Sequence, residues 1–96
     1  MKNTYWKNKK VLITGHEGFL GSWLAKSLLC RGADIIGVDK VEKRPVSMLN
    51  GLRKGIISSK GNISNLKLIK NILQEHKPQV IFHLAAQAIV GEAVKN

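Results

Sequence analysis

At 96 residues the chain has room for one small domain with a packed core, and not for two. An apolar share of 44% with charges of both signs mixed through it excludes a disordered chain. Sixteen basic residues against six acidic ones give a formal charge of +10, but only Lys2, Lys7, Lys9 and Lys10 cluster, and few aromatics accompany them. A series of base-stacking platforms is therefore missing, and nucleic acid is not the expected partner.

No apolar run approaches the roughly 20 residues of a membrane span, and Val11–Thr14 is too short for the apolar region of a signal peptide. Cys30 is the only cysteine, so no internal disulfide can form. A cytoplasmic location with no membrane partner is the expectation.

Residues 1–9 are polar and aromatic and lead into the first strand, with Trp6 placed to cover a sheet end. Val11–Thr14 is apolar without alternation, the pattern of a strand buried on both faces. From Leu20 to Cys30 the apolar residues Leu20, Trp23, Leu24, Leu28 and Leu29 recur at helical spacing. Cys30 is expected on the buried face as an inert packing thiol, and Arg31-Gly32 ends the helix. Ala33–Val38 is a second apolar strand, ending in Asp39. The βαβ unit so formed enforces a right-handed crossover and a parallel pair.

Lys40–Lys54 carries little signal, with one turn of helix allowed at Val46–Leu52. Gly55–Ser58 is a weak third strand, and Ser64 is the expected N-cap of a second helix. Leu66, Ile69, Ile72 and Leu73 are its buried stripe, and Lys77-Pro78 stops it. Val80–Leu84 is a fourth strand, followed by Ala85-Ala86-Gln87 and the start of a helix at Ala88–Lys95. The order predicts an α/β fold: a parallel sheet of strand order 3-2-1-4 with helices on both faces.

The chemistry concentrates where the first strand meets its helix. Gly15, Gly18 and Gly21 fall there, suited to a tight turn, a close approach of backbone to a pyrophosphate, and close packing of helix on strand. The first N–H groups of the helix then face the phosphates with the dipole favouring the anion. Asp39, eighteen residues beyond Gly21, stands where a ribose-binding carboxylate belongs. The alternative is a glycine-rich turn that binds nothing.

Around that loop, His16 is expected either to touch phosphate or to be solvated, and Glu17 to point outward, away from the phosphates. Trp23 is expected in a core or interface, His83 as a packed and hydrogen-bonded residue, and His76 as a solvated partner of a helix dipole. The three histidines lie too far apart in sequence for metal-ligand spacing, so no metal site is assigned.

Thr14-Gly15-His16-Glu17-Gly18-Phe19-Leu20-Gly21 resembles the TGxxGxxG fingerprint of the extended short-chain dehydrogenase/reductases. Phe82-His83-Leu84-Ala85-Ala86-Gln87 is similar to their fourth-strand HLAAQ motif. The run from Trp6 to His16, with Gly21-Ser22-Trp23-Leu24, further resembles the CDP-glucose 4,6-dehydratases.

That resemblance implies a Rossmann-like fold, truncated, with residues 1–96 as a single dinucleotide-binding domain forming the N-terminal portion of a longer one. It implies NAD, with Phe19 and Leu20 supplying backbone N–H groups over Gly15–Gly21 and Asp39 accepting from the adenosine ribose. A carboxylate there favours NAD over NADP by repelling a 2′-phosphate. Asn62 and Ile63 would lie beside adenine, with asparagine where the family usually has aspartate. Leu84, Ala85 and Ala86 would line the cofactor, and Gln87 would begin the substrate side.

The implied enzyme is an NAD-dependent nucleotide-sugar dehydratase, a lyase acting on CDP-glucose. It oxidises C4, eliminates water across C5 and C6, and returns the hydride to C6. The Tyr-x-x-x-Lys pair this needs is absent: Tyr5 and Lys9 have the spacing but precede the first strand. No catalytic residue is therefore assigned, and the chain is expected to be inactive alone. An open edge at the fourth strand predicts self-association as a homo-oligomer, or marginal stability. The other readings are a non-catalytic nucleotide-binding module, another nucleotide-sugar epimerase or dehydratase, and a basic nucleic-acid-binding protein.

Overall fold

Val11, Leu12 and Ile13 are consecutive and apolar, so a strand containing them must be covered on both faces. They form the middle of β1 (Lys10–Thr14), and all three are buried. The computed structural model describes residues 5–40 and 49–84. After β1 come α1 (Phe19–Cys30), β2 (Asp34–Asp39), a 3-10 turn (Arg53–Gly55), β3 (Ile56–Lys60), α2 (Leu66–His76) and β4 (Val80–His83). The strands form one parallel sheet of order β3-β2-β1-β4, the order expected from the sequence. Leu12 is in register with Ile36 on one side and Ile81 on the other.

Alternate residues of β1 serve two separate cores. Val11 and Ile13 join Ala25 and Leu28 of α1, with Ile35, Leu49 and Ile56. Leu12 joins Ile36, Val38 and Ile72 of α2, with Ile63, Leu68 and Ile69 packed against them. The two helices therefore cover opposite faces, and each buried aliphatic side chain contributes roughly 1.5–3 kcal/mol. Trp6 packs against the first core and its ring lies 6.2 Å from that of Phe82, the covering role expected of it.

Four local expectations need correction. The fully buried face of α1 is Gly21, Ser22, Ala25 and Leu28, with Leu24 and Leu29 packed at its border, so of the expected stripe Leu20 and Trp23 do not take part. Small residues let this helix sit close to the sheet, which turns Leu20 and Trp23 outward, Trp23 being 55% exposed. Cys30 is exposed as well. In α2 the N-cap is Asn65, whose side chain accepts from the Leu68 N–H, and Ser64 lies one residue earlier. The face of α2 against the sheet is Leu68, Ile69 and Ile72, while Leu66 is 79% exposed and Leu73 is also exposed.

The helix ends follow from local chemistry. Gly32 takes φ +90° just beyond α1, and the Arg31 guanidinium returns to the Ser27 carbonyl and hydroxyl. Lys77 takes a left-handed conformation after α2, and Pro78 prevents continuation.

Candidate cofactor site

Parallel strands bring their carboxyl ends to one edge of the sheet, and here the order reverses between β1 and β4. Ligands of open α/β sheets bind outside the carboxyl ends at such a reversal. The rim is stitched together by three bonds. The Gly15 N–H donates to the Val38 carbonyl at 2.7 Å, and the Leu84 N–H to the Thr14 carbonyl at 3.1 Å. Thr14 Oγ1 lies 2.8 Å from His83 Nδ1, so His83 is hydrogen-bonded as expected but exposed at the strand end, not packed.

The three glycines do different work. Gly15 takes φ +79°, which an L side chain rarely adopts. A Cβ on Gly21 would lie 2.0 Å from the Gly15 carbonyl oxygen, so only glycine allows α1 to start this close to the loop. At Gly18 a Cβ would meet the same oxygen at 3.3 Å, a tight fit that leaves the fold possible. Gly18 is also the N-cap of α1, with no side-chain cap and no acidic residue in the first turn. The N–H groups of Phe19, Leu20 and Gly21 meet no acceptor among the described residues. Phe19 is 83% and Leu20 48% exposed, so the helix opens toward solvent at these two residues, while Gly21 is buried behind them. A bare helix N-terminus edged by glycine is suited to an anion with bulk, such as a pyrophosphate.

Beneath the loop lies a polar layer that the sequence reading missed. Glu17 is buried, not turned outward: its carboxylate is fully covered and paired at both oxygens with Arg53, at 2.6 and 3.1 Å. Pairing removes the repulsion that outward orientation was expected to avoid. The same hydrogen bond and charge hold the Arg53 guanidinium pKa above its usual value.

His16 is buried too, neither solvated nor facing the solvent-open amides. Its Nε2 lies 2.9 Å from Ser58 Oγ and 3.3 Å from Glu17 Oε2, and its Nδ1 makes no hydrogen bond among the described residues. Burial pushes its pKa below 6.5, opposed by the charges of Glu17 and Asp39. Gly37 carried the signal for this packing. Glycine inside a strand marks a close approach, and a Cβ there would lie 2.4 Å from the His16 ring. Arg53 and Ser58 had no comparable signal.

Asp39 ends β2 at the rim, and its Oδ2 accepts from the Glu17 main-chain N–H at 3.0 Å. Asn62 and Ile63 follow β3 at the same rim. The Asn62 side-chain oxygen accepts from both the N–H and the hydroxyl of Ser64, so the acceptor expected for adenine is turned into a local turn. Ile63 puts its side chain into the α2-side core. Leu84 lies beside Thr14, and Ala85 and Ala86 fall outside the described residues. At the opposite edge, Lys9 Nζ stands 4.0 Å over the Tyr5 ring, a cation–π contact that accounts for the spacing of that pair. Among the described residues no cluster of side chains has a metal-binding arrangement, and no helix is long and apolar enough to cross a membrane.

The family model for GDP-mannose 4,6 dehydratase matches residues 12–96, from the middle of β1 onward. The chain belongs to this family. Within it, the CDP-glucose 4,6-dehydratase of Salmonella typhimurium is 35% identical over 88 residues, covering 90% of this chain and 24% of that enzyme. The UDP-glucose 4-epimerase of Neisseria gonorrhoeae is 34% identical over 88 residues, covering 88% of this chain and 26% of that enzyme. The chain thus spans about a quarter of the length of these curated relatives.

Solved structures of members agree. The Thermotoga maritima UDP-glucose 4-epimerase, crystallised with UDP-glucose, superposes at TM-score 0.69 with 30% identity over 91% of this chain and 27% of that one. The Bacillus anthracis dTDP-glucose 4,6-dehydratase, in complex with NAD, superposes at 0.67 with 28% identity over 84% of this chain and 28% of that one. The fold is Rossmann-like, in a family of nucleotide-sugar dehydratases and epimerases.

Proposed function

We propose that this chain is the NAD-binding portion of a nucleotide-sugar 4,6-dehydratase, with the pyrophosphate on the amides that open α1. The observation that carries the reading is the uncapped, carboxylate-free N-terminus of α1, bordered by glycines whose Cβ positions are constrained by the Gly15 carbonyl. NAD in complex with relatives of the same fold supports it.

When bound, NAD would accept hydride from C4 of the sugar and return it at C6. The chain's own residues bind and orient. Phe19, Leu20 and Gly21 present N–H groups to the phosphates, and Gly18 leaves the space. Asp39 accepts from the adenosine ribose hydroxyls, and Leu84, at the end of β4, lines the cofactor. At the adenine end the Asn62 amide NH2 and the Ile63 main chain remain, since the Asn62 oxygen is engaged with Ser64 and the Ile63 side chain packs on the core.

CDP-glucose is the substrate favoured by the dehydratase from Salmonella typhimurium and by the run from Trp6 to His16. The similarity to UDP-glucose 4-epimerases favours a second reading, an epimerase using the same cofactor half. Residues 1–96 act in either case as one cytoplasmic dinucleotide-binding unit without turnover of its own. Self-association as a homo-oligomer is part of this reading, and a strictly monomeric sedimentation profile contradicts it.

Calorimetric titration of NAD tests the cofactor reading, with Gly18→Val as the control. The expected result is saturable NAD binding that the valine reduces at least about a hundredfold, by occupying the phosphate position. Equal affinity in a folded Gly18→Val protein overturns the reading.

A further inference from the structure

Asp39 and Arg53 meet at one residue. Glu17 donates its main-chain N–H to Asp39 Oδ2 at 3.0 Å and gives both carboxylate oxygens to Arg53. The Glu17 side chain is 0% exposed and that of Arg53 23%, so the guanidinium sits between the buried layer and solvent. Its remaining Nε–H donates to Asn50 Oδ1 at 3.4 Å. The neighbouring His16 ring, pressed on Gly37 and bonded to Ser58, leaves Glu17 little freedom to swing away.

A guanidinium is always charged, and its planar fork matches a phosphate as well as a carboxylate. In nucleotide-binding folds of this kind, an arginine near the ribose-binding carboxylate is what accommodates a 2′-phosphate. Arg53 is linked to Asp39 only through Glu17, and both terminal nitrogens of its fork already donate to the Glu17 carboxylate. The chain is strongly basic, so its overall field favours the more highly charged dinucleotide, and discrimination must come from local contacts.

We propose that Glu17 is a selectivity-determining residue: by holding the Arg53 guanidinium on its buried carboxylate, it withholds that cation from a 2′-phosphate and so favours NAD. Glu17 touches no part of the dinucleotide in this role; its carboxylate acts through Arg53. The inference rests on the NAD reading above.

The test is the ratio of NADP to NAD affinity, measured by calorimetry on the full 96-residue chain. Wild type is expected to prefer NAD. Glu17→Gln removes the charge that holds the guanidinium and is expected to move the ratio toward NADP by about tenfold, the worth of one charge-assisted hydrogen bond to phosphate. Adding Arg53→Met to Glu17→Gln is expected to abolish that gain. Arg53→Lys keeps a cation beside Glu17 but loses the fork. It is expected to move the ratio the same way by about threefold, and it serves if circular dichroism shows Glu17→Gln unfolded. An unchanged ratio in a folded variant that still binds NAD overturns the selectivity role, as does a gain that survives Arg53→Met. Binding of neither nucleotide by wild type overturns the NAD reading itself, and the selectivity role with it.

Discussion

At the residue scale the loop after β1 shows how alike glycines separate once the backbone is placed. Their spacing predicts a phosphate loop, but nothing in the letters distinguished Gly21, which holds the helix against the turn, from Gly18, where a Cβ would be tight but possible. Gly21→Ala puts a methyl 2.0 Å from the Gly15 oxygen, and the helix start must shift to relieve it. The expected cost is roughly 2–3 kcal/mol, read from the urea midpoint at constant slope; a cost below about 0.5 kcal/mol contradicts the close packing.

His16 carries a pH prediction with a definite sign. Its folded pKa lies below 6.5, so between that lower value and about 6.5 the unfolded chain binds more protons than the folded one. Stability therefore falls as pH drops below about 6.5, and levels off once the folded His16 protonates too. Replacing the ring by an amide, His16→Gln, should flatten this part of the stability–pH curve. Equal slopes for wild type and variant would show that burial of the imidazole is not the cause. A lone histidine in a glycine-rich loop reads as solvated, and only the ring's fit over Gly37 reveals otherwise.

At the scale of elements, periodicity found both helices and placed each face in part, with Leu24, Leu28 and Leu29 of α1 and Ile69 and Ile72 of α2 against the cores and Leu20, Trp23, Leu66 and Leu73 exposed. In α1 the spacing singled out bulky side chains, whereas the sheet takes Gly21, Ser22 and Ala25 because a close helix has no room for more. Hydropathy weighs size, and close packing selects against it. In α2 two adjacent residues qualify as caps, Ser64 and Asn65, and the sequence offers no reason to choose between them. The bond from the Leu68 N–H decides for Asn65, while Ser64 is spent on Asn62. Asn65→Ala is accordingly expected to cost about 1 kcal/mol in thermal or urea unfolding. Ser64→Ala should cost less than Asn65→Ala, and the reverse ranking contradicts the assigned cap.

For the whole molecule the topology was legible because its causes are coarse. Apolar strands without alternation must be covered twice, and a short crossover between them must be right-handed, which leaves one arrangement for β1, β2 and their helix. The candidate site was legible in its glycines and in Asp39 for the same reason, since both sit at strand ends that the topology fixes. The layer beneath was not: Glu17, Arg53 and Ser58 come from the loop after β1, the turn before β3 and β3 itself, and Arg53 enters its strand from the opposite edge, so only its long side chain brings it to Glu17. Charges so joined leave no pattern along the sequence.

The most direct measurement of the central claim follows individual amides of the isotopically labelled chain by NMR during titration with NAD. The account predicts saturable shifts largest at Phe19, Leu20 and Gly21, with Asp39 moving in the same titration. Shifts confined to the amino-terminal edge of the sheet, at Lys10, Asp34 and Lys54, or no saturable shift at all, would contradict it.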